Sequence, residues 1–345
     1  MTHKTSRWLW ALVFGALMQF ALDARSETCV TQSQMEPAER TALETAARSL
    51  ALKIQVNDQD GVKSATIPEF VANFNGIGSA VSTTAPYLAG NRAEVEQIYL
   101  LDATASKRNP DGSNPDGDFI CTLNKGTSEA DFSINALPPG RYGFAMVEFT
   151  GKAPWLVSML LRQDGAGAPW KLAGFFPKAL TAAGHDGLWY WSQGRAAAAK
   201  KQLWVAYMDF QEARVLLQPA SFVSSTHLEN LRVEATSAAP PEAADGVGPD
   251  APLLVKGANG KEYRFTSIDA GDSLHKDKLD IVVHLINDPT ITDPVAARQR
   301  NLDAMKAWLT LHPEMRETFH GMWVISDTPG QPPIATTEAS MSEID

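Results

Sequence analysis

His185-Asp186 is the pair of residue types in this chain most suggestive of chemistry, because a carboxylate beside an imidazole can orient a general base. Asp186 also stands directly before a helical segment that begins at Gly187. There it would cap the helix by accepting an orphan backbone N–H, worth about 1 kcal/mol, and this is the simpler reading. The run Asn109-Pro110-Asp111-Gly112-Ser113-Asn114-Pro115-Asp116-Gly117-Asp118 concentrates side-chain oxygens that could hold Ca²⁺. Asn, Pro, Asp and Gly are equally the residues of tight turns, and their order is not that of an EF-hand, so turn chemistry explains them first. Tyr99 and Asp102 share one extended segment and read as a strand tyrosine and a strand-end aspartate. The aromatic group Trp155, Trp170, Phe175, Phe176, Trp189 and Trp191 reads first as core and second as a ligand cage. A bound ligand is to be sought at Tyr99, Asp102, Trp155, Trp170 and Trp189.

The standard catalytic signatures are missing. The chain contains no P-loop, dinucleotide-binding glycine motif, Gly-x-Ser-x-Gly or His-Glu-x-x-His, and Gly76-Ile77-Gly78-Ser79 lacks the continuation that either glycine motif needs. Histidines 185, 227, 275, 284, 312 and 320 are scattered at spacings unlike those of metal ligands, and two cysteines cannot build a thiolate zinc cluster. Neither a metal nor a cofactor is expected.

The chain has 345 residues, 44% of them hydrophobic, with 30 Lys+Arg against 40 Asp+Glu and a formal net charge of −10. Such a length and apolar share supply two or three cores and exclude collagenous, disordered and disulfide-scaffold classes. The acidic balance argues against nucleic acid as a partner. Lys4 and Arg7, the apolar run from Trp8 to Met18, and small residues around Ala24-Arg25-Ser26 give 1–26 the order of a secretory signal. An uncleaved anchor is the alternative, and with cleavage no membrane span remains. Ser26-Glu27-Thr28 before Cys29 do not form a lipoprotein box, which leaves Cys29 as a thiol. The only other cysteine is Cys121, and an oxidising compartment favours pairing the two. The loop closed, of about 90 residues, would be worth roughly 4–5 kcal/mol by the chain-entropy model. Two buried free thiols are the alternative.

From Pro37 the residues Leu43, Ala46/Ala47, Leu50 and Ile54 repeat at helical spacing, and a second short helix after Ile67-Pro68 carries Phe70, Val71 and Phe74 inward. Beyond Gly90 the chain turns to strands: 95–101, 119–123, a weaker 131–134, 141–149, 155–161 and 170–176, each bounded by turn residues. The turn at Gln163-Asp164-Gly165-Ala166-Gly167 makes the last two a hairpin and predicts a meandering antiparallel sheet. A long N-terminal helix, a shorter one, and a sheet that closes on Trp170-Lys171-Leu172-Ala173-Gly174-Phe175-Phe176 together resemble the NTF2-like, cystatin-like cone superfamily. The resemblance covers 37–177 and implies a curved sheet wrapped on the N-terminal helix, open at one end. NTF2-like isomerases use Tyr and Asp around a steroid. No motif here matches theirs residue by residue, so no role passes to Tyr99 or Asp102.

Two helices follow, Leu188 to about Lys201 and Leu203 to about Gln218. Gly194, Ala206, Phe210, Ala213 and Pro219 give them the spacing that resembles a single tetratricopeptide unit, with departures at Gln193 and Ala197 and a proline one residue late. One unit cannot bury its face alone, so this hairpin is expected to pack on the cone with Trp189, Trp191 and Trp204 as filling. Residues 235–252, rich in Ala and Pro, read as a linker. Beyond them an Asn259-Gly260 hairpin, a strand at 279–285, a helix from Asp293-Pro294 and a strand at 321–325 make a small module.

The expected organisation is thus α+β: signal peptide 1–26, NTF2-like domain 27–180, helical hairpin 181–234 packed on it, linker 235–252, α+β module 253–328, and polar tail 329–345. The expected function is that of an exported, periplasmic or secreted, non-enzymatic binding or scaffolding protein. Its partner would be a small apolar ligand or an envelope protein. The alternatives are an NTF2-like isomerase or hydrolase of a small apolar substrate, and partner binding through the helical hairpin. The resemblance extends to exported bacterial proteins with no assigned function.

Overall fold

The computed structural model describes residues 27–243, 246–271, 277–327 and 335–344. The expected signal peptide 1–26 and His275 lie outside the described residues. The architecture is α+β. Strand β1 (Thr28–Thr31) leads into α1 (Pro37–Gln55), which has Pro37 in its first turn and buries Leu43, Ala47, Leu50, Ala51 and Ile54 along one stripe. Three more helices follow: α2 (Gln59–Ser64), capped by Asp58, α3 (Pro68–Val71), and α4 (Asn75–Leu88). The expected second helix is short, and it turns Phe70 outward while Phe74 is buried. Helix α4 contains Gly76, Gly78 and Pro86, poor helix formers; burial of Val81, Ala85 and Leu88 against α1 and its neighbours overrides that weak propensity.

The strands expected beyond Gly90 all form: β2 (Arg92–Asp102), β3 (Gly117–Leu123), β4 (Ser128–Ile134), β5 (Arg141–Thr150), β6 (Trp155–Gln163) and β7 (Trp170–Ala179). They do not make a single meander. One antiparallel sheet runs β1-β2-β5-β6-β7, and β3 and β4 form a separate small sheet. The physical reason is two-sided burial. Six consecutive residues of β6 are buried, so both faces of the main sheet must be covered, whereas β3 alternates buried and exposed residues and has one dry face. The helices cover one face, enclosing Ile98, Leu100, Ala145, Val147, Met159 and Leu172. Gly143 lets α1 approach this sheet, since a Cβ there would lie 2.4 Å from Leu43. The small sheet covers the other face, enclosing Leu101, Phe119, Phe132, Tyr142 and Phe144. A disulfide joins Cys29 of β1 to Cys121 of β3, with Cα atoms 5.2 Å apart and a sequence separation of 92, and so staples one sheet to the other.

A short β8–β9 pair (Thr181–Ala182, His185–Asp186) precedes α5 (Gly187–Ala199) and α6 (Leu203–Leu217). These two helices pack closely because Gly194 faces Phe210, whose ring would lie 2.8 Å from an added Cβ. The expected packing of this hairpin on the N-terminal domain is not its main contact. Its core residues Tyr190, Trp191, Trp204 and Met208 belong to one cluster with Phe265, Ile281, Trp308 and Val324 of the C-terminal module. The rings of Trp204 and Trp308 meet edge to face at 5.0 Å. The reason lies in α6 being buried on nearly every side rather than along one stripe, so one wall is α5 and another is the C-terminal sheet. Strand β10 (Val223–Ser225) then joins β4 as the third strand of the small sheet, and α7 (Thr226–Ser237) follows.

The stretch expected as a linker is partly packed, since α7 extends to Ser237 and Ala238 and Ala243 are buried in the shared core. Strands β11 (Leu253–Lys256) and β12 (Glu262–Gly271) form the hairpin expected around Asn259-Gly260. Strand β13 (Asp280–Ile286) is joined through α8 (Pro294–Leu311) and α9 (Met315–Thr318) to β14 (Gly321–Asp327), and β13 and β14 run parallel. The expected polar tail contains β15 (Ala335–Ser340), antiparallel to β14. Its alternation places Thr337, Ala339 and Met341 inside, which the polar composition concealed. Among the described residues no helix is long and apolar enough to cross a membrane.

Candidate functional site

The five residues expected to surround a ligand do not converge. Tyr99 lies between the two sheets with its ring edge-on to Phe132 at 5.1 Å, and burial pushes its phenol up. Asp102, at the end of β2, accepts from both the backbone N–H and the hydroxyl of Thr104. Trp155 stacks on Tyr87 with centroids 4.6 Å apart, on the helix side. Trp170 also faces the helix side, but Trp155 pairs with Ala179 and Trp170 with Gln163, at opposite ends of the β6–β7 ladder. Trp189 is 39% exposed and stacks on His185 at 3.7 Å. Tyr99 and Trp170 thus point to opposite faces of the main sheet.

Asp186 is a helix cap, accepting the Trp189 N–H at 2.8 Å. In the loop 109–118, Asp111 accepts from Ser113, and Asp116 from the Ala136 N–H. Among the described residues no three His, Cys, Asp or Glu side chains are grouped to hold a metal.

The structure assembles a polar depression instead, of about 670 Å³, beside the disulfide. One wall is the turn after β1. There Gln34 Oε1 accepts from the Thr31 N–H and hydroxyl, and the backbone N–H groups of Gln34 and Met35 both donate to Thr31 O. The opposite wall is the β3–β4 turn with Thr122, Leu123 and Lys125, and Gln97 of β2 and Arg40 of α1 complete the lining. Cys29 lies two residues before the first wall and Cys121 one residue before the second, so the bridge fixes their separation. Arg40 is half-buried, and neither it nor Lys125 has an ion-pair partner among the described residues. Lys125 holds φ +58°, the left-handed region that favours glycine. A second hollow, about 630 Å³, runs along Glu44, Arg48, Leu52 and Val56, but it is lined by α1 alone and has no opposing wall.

Sequence reasoning missed a buried charge cluster at the junction of the main sheet and α6. Lys178 of β7 donates from Nζ to the Val215 and Gln218 carbonyls, both at 2.8 Å, at the C-terminal end of α6. Burial pulls its ammonium down to about 8, against the opposing pull of Glu212. Asp209 and Glu212 stand three residues apart on α6, and both are buried. Burial first, and then the charge of Glu212, push Asp209 up to about 7. Groups titrating near neutrality suit proton transfer, but this cluster is closed, Asp209 being 5% exposed. The readable signal was two carboxylates three apart in the otherwise apolar run Leu203–Leu217.

Two further imidazoles meet carboxylates. His284 Nδ1 lies 2.6 Å from Asp327 Oδ2 across the parallel β13–β14 pair, and His320 Nδ1 lies 3.1 Å from the buried Asp280. Spacing in the sequence gave no sign of either, because each pair spans the α8 crossover.

Fold and site together define an α+β protein with a polar, disulfide-braced depression. Comparisons with protein-family models, with curated proteins and with solved structures found no match to this chain.

Proposed function

We propose that the protein is an exported binding or scaffolding protein that works without chemistry of its own. The observation that carries this reading is the depression between the two disulfide-linked turns, a concavity bearing two cations, Arg40 and Lys125, without ion-pair partners among the described residues. The bridge and the absence of a membrane-spanning helix among the described residues fit an exported protein. Both faces of the main sheet are filled by the protein's own Leu, Val, Met and Phe side chains, which favours a surface site over an apolar pocket in the cone. An NTF2-like fold, resembled over 37–177, and a single tetratricopeptide-like helical hairpin within 181–234 belong to the same reading, supported by element order. Asp209 is the feature that favours the isomerase or hydrolase alternative, and its closure from solvent, at 5% exposure, weighs against it.

Native mass spectrometry of the protein purified from its own host tests the proposal. A mass beginning after Ser26, with a retained small molecule or partner, is the expected result. A bare chain that turns over a small apolar substrate would refute it.

A further inference from the structure

Resting on that reading, we infer that the depression between the β1–α1 and β3–β4 turns binds an acidic sugar, a polyhydroxylated ring carrying a carboxylate or phosphate. Four observations lead there. The lining is amide, hydroxyl and cation: Gln32, Gln97, Ser33 and Thr122 offer donors and acceptors in several directions, as a polyol requires, and Leu123 is its only large aliphatic side chain. The two charges in the lining, Arg40 and Lys125, are positive, and no carboxylate is among the lining residues; Glu44, outside the lining, accepts a 3.1 Å hydrogen bond from Gln32. This is an inversion of the molecule as a whole, which carries −10. Distant acids are screened beyond a Debye length of about 8 Å at physiological salt, so the potential that a small anion meets is set locally, by Arg40 and Lys125 against the neighbouring Glu44.

The backbone adds two more arguments. Lys125 occupies a left-handed conformation at φ +58°, where glycine is the unstrained choice, and a cation is thereby kept at the tip of the turn facing the hollow. The Cys29–Cys121 bridge joins the strands that carry the two walls, so the separation of Thr31–Gln34 from Thr122–Gly126 is set before a ligand arrives. The volume, about 670 Å³, admits a monosaccharide with its first waters or a disaccharide.

The test titrates the disulfide-bonded protein, by ¹H–¹⁵N correlation spectra, with glucuronate, glucose 6-phosphate, glucose and inorganic phosphate. Saturable shifts at Gln32, Gln97 and Thr122 are expected for the two acidic sugars, with glucose at least tenfold weaker. Arg40→Gln and Lys125→Gln, each checked for an unchanged urea midpoint, should weaken the acidic sugars about tenfold apiece, the loss of one charge-assisted contact. Preference between glucuronate and glucose 6-phosphate tells the carboxylate source from the phosphate source. Absence of saturable binding, equal affinity for glucose, equal affinity for inorganic phosphate, or indifference to both substitutions would overturn the inference. A retained neutral ligand in native mass spectrometry, together with no acidic-sugar binding, overturns this inference and leaves the binding-protein reading standing.

Discussion

Replacing Asp209 by Asn should stabilise the protein, and by an amount that grows with pH. Burial, which disfavours its charge, and then repulsion by Glu212 push the Asp209 carboxyl up to about 7 in the folded chain, from the ordinary aspartate value of about 4. The folded state therefore binds this proton more tightly than the unfolded state, so stability contributed at low pH is lost as pH rises from about 4 through 7. Linkage between those two values gives a cost of about 2 kcal/mol at pH 5 and about 4 kcal/mol at pH 8. Asn is close in shape and carries no charge, so it escapes the pH-dependent part. Urea unfolding of both proteins at pH 5 and pH 8 is the assay, and the stability difference should widen by about 2–3 kcal/mol between them. A difference that stays constant with pH, or narrows, would refute the reasoning, since it would mean that Asp209 is ionised in the folded protein at both pH values.

Removing the disulfide with Cys29→Ser and Cys121→Ser together should lower stability by roughly 4–5 kcal/mol, the chain-entropy value for a loop this long, read as a drop in urea midpoint. Lys125→Gly relieves the left-handed backbone at that turn and should raise the urea midpoint slightly, by about 0.5–1 kcal/mol, while weakening acidic-sugar binding. Trp204→Ala removes the ring that meets Trp308 and should cost about 3–5 kcal/mol. Limited proteolysis of that variant should show faster cutting within 238–252, because the hairpin and the C-terminal sheet lose their shared core.

The strand segments were readable because β-branched and aromatic runs between turn residues report directly on local backbone preference, and Pro37 with Leu43, Leu50 and Ile54 reported α1. Pairing was not readable. Nothing in Phe119-Ile120-Cys121 states that β3 leaves β2 for a separate sheet, since that choice depends on which faces need cover once β6 is buried on both sides. The packing of the hairpin failed for the same reason. Trp204 announces burial, but its partner Trp308 lies 104 positions later, and the intervening Ala/Pro-rich stretch suggested separation where Ala238 and Ala243 are in fact buried.

The candidate site was the least readable part, and the cause is physical. Local sequence reasoning finds groups that sit on one turn, strand or helix face, and it therefore singles out His185-Asp186 and the loop 109–118, read first as a helix cap and as turn chemistry, and there Asp186 and Asp111 do serve the backbone. The depression takes its groups from three regions: the turn after β1 with Arg40 of α1, Gln97 of β2, and the tip of the β3–β4 turn. None of them is distinctive alone, and a surface Arg or Lys in an acidic chain reads as solubility. The one sequence feature that does bring two of these regions together is the pair of cysteines. Once Cys29 and Cys121 are joined, the residues immediately after each must be neighbours, so polar side chains just downstream of a long-range disulfide are where a braced surface site can be sought.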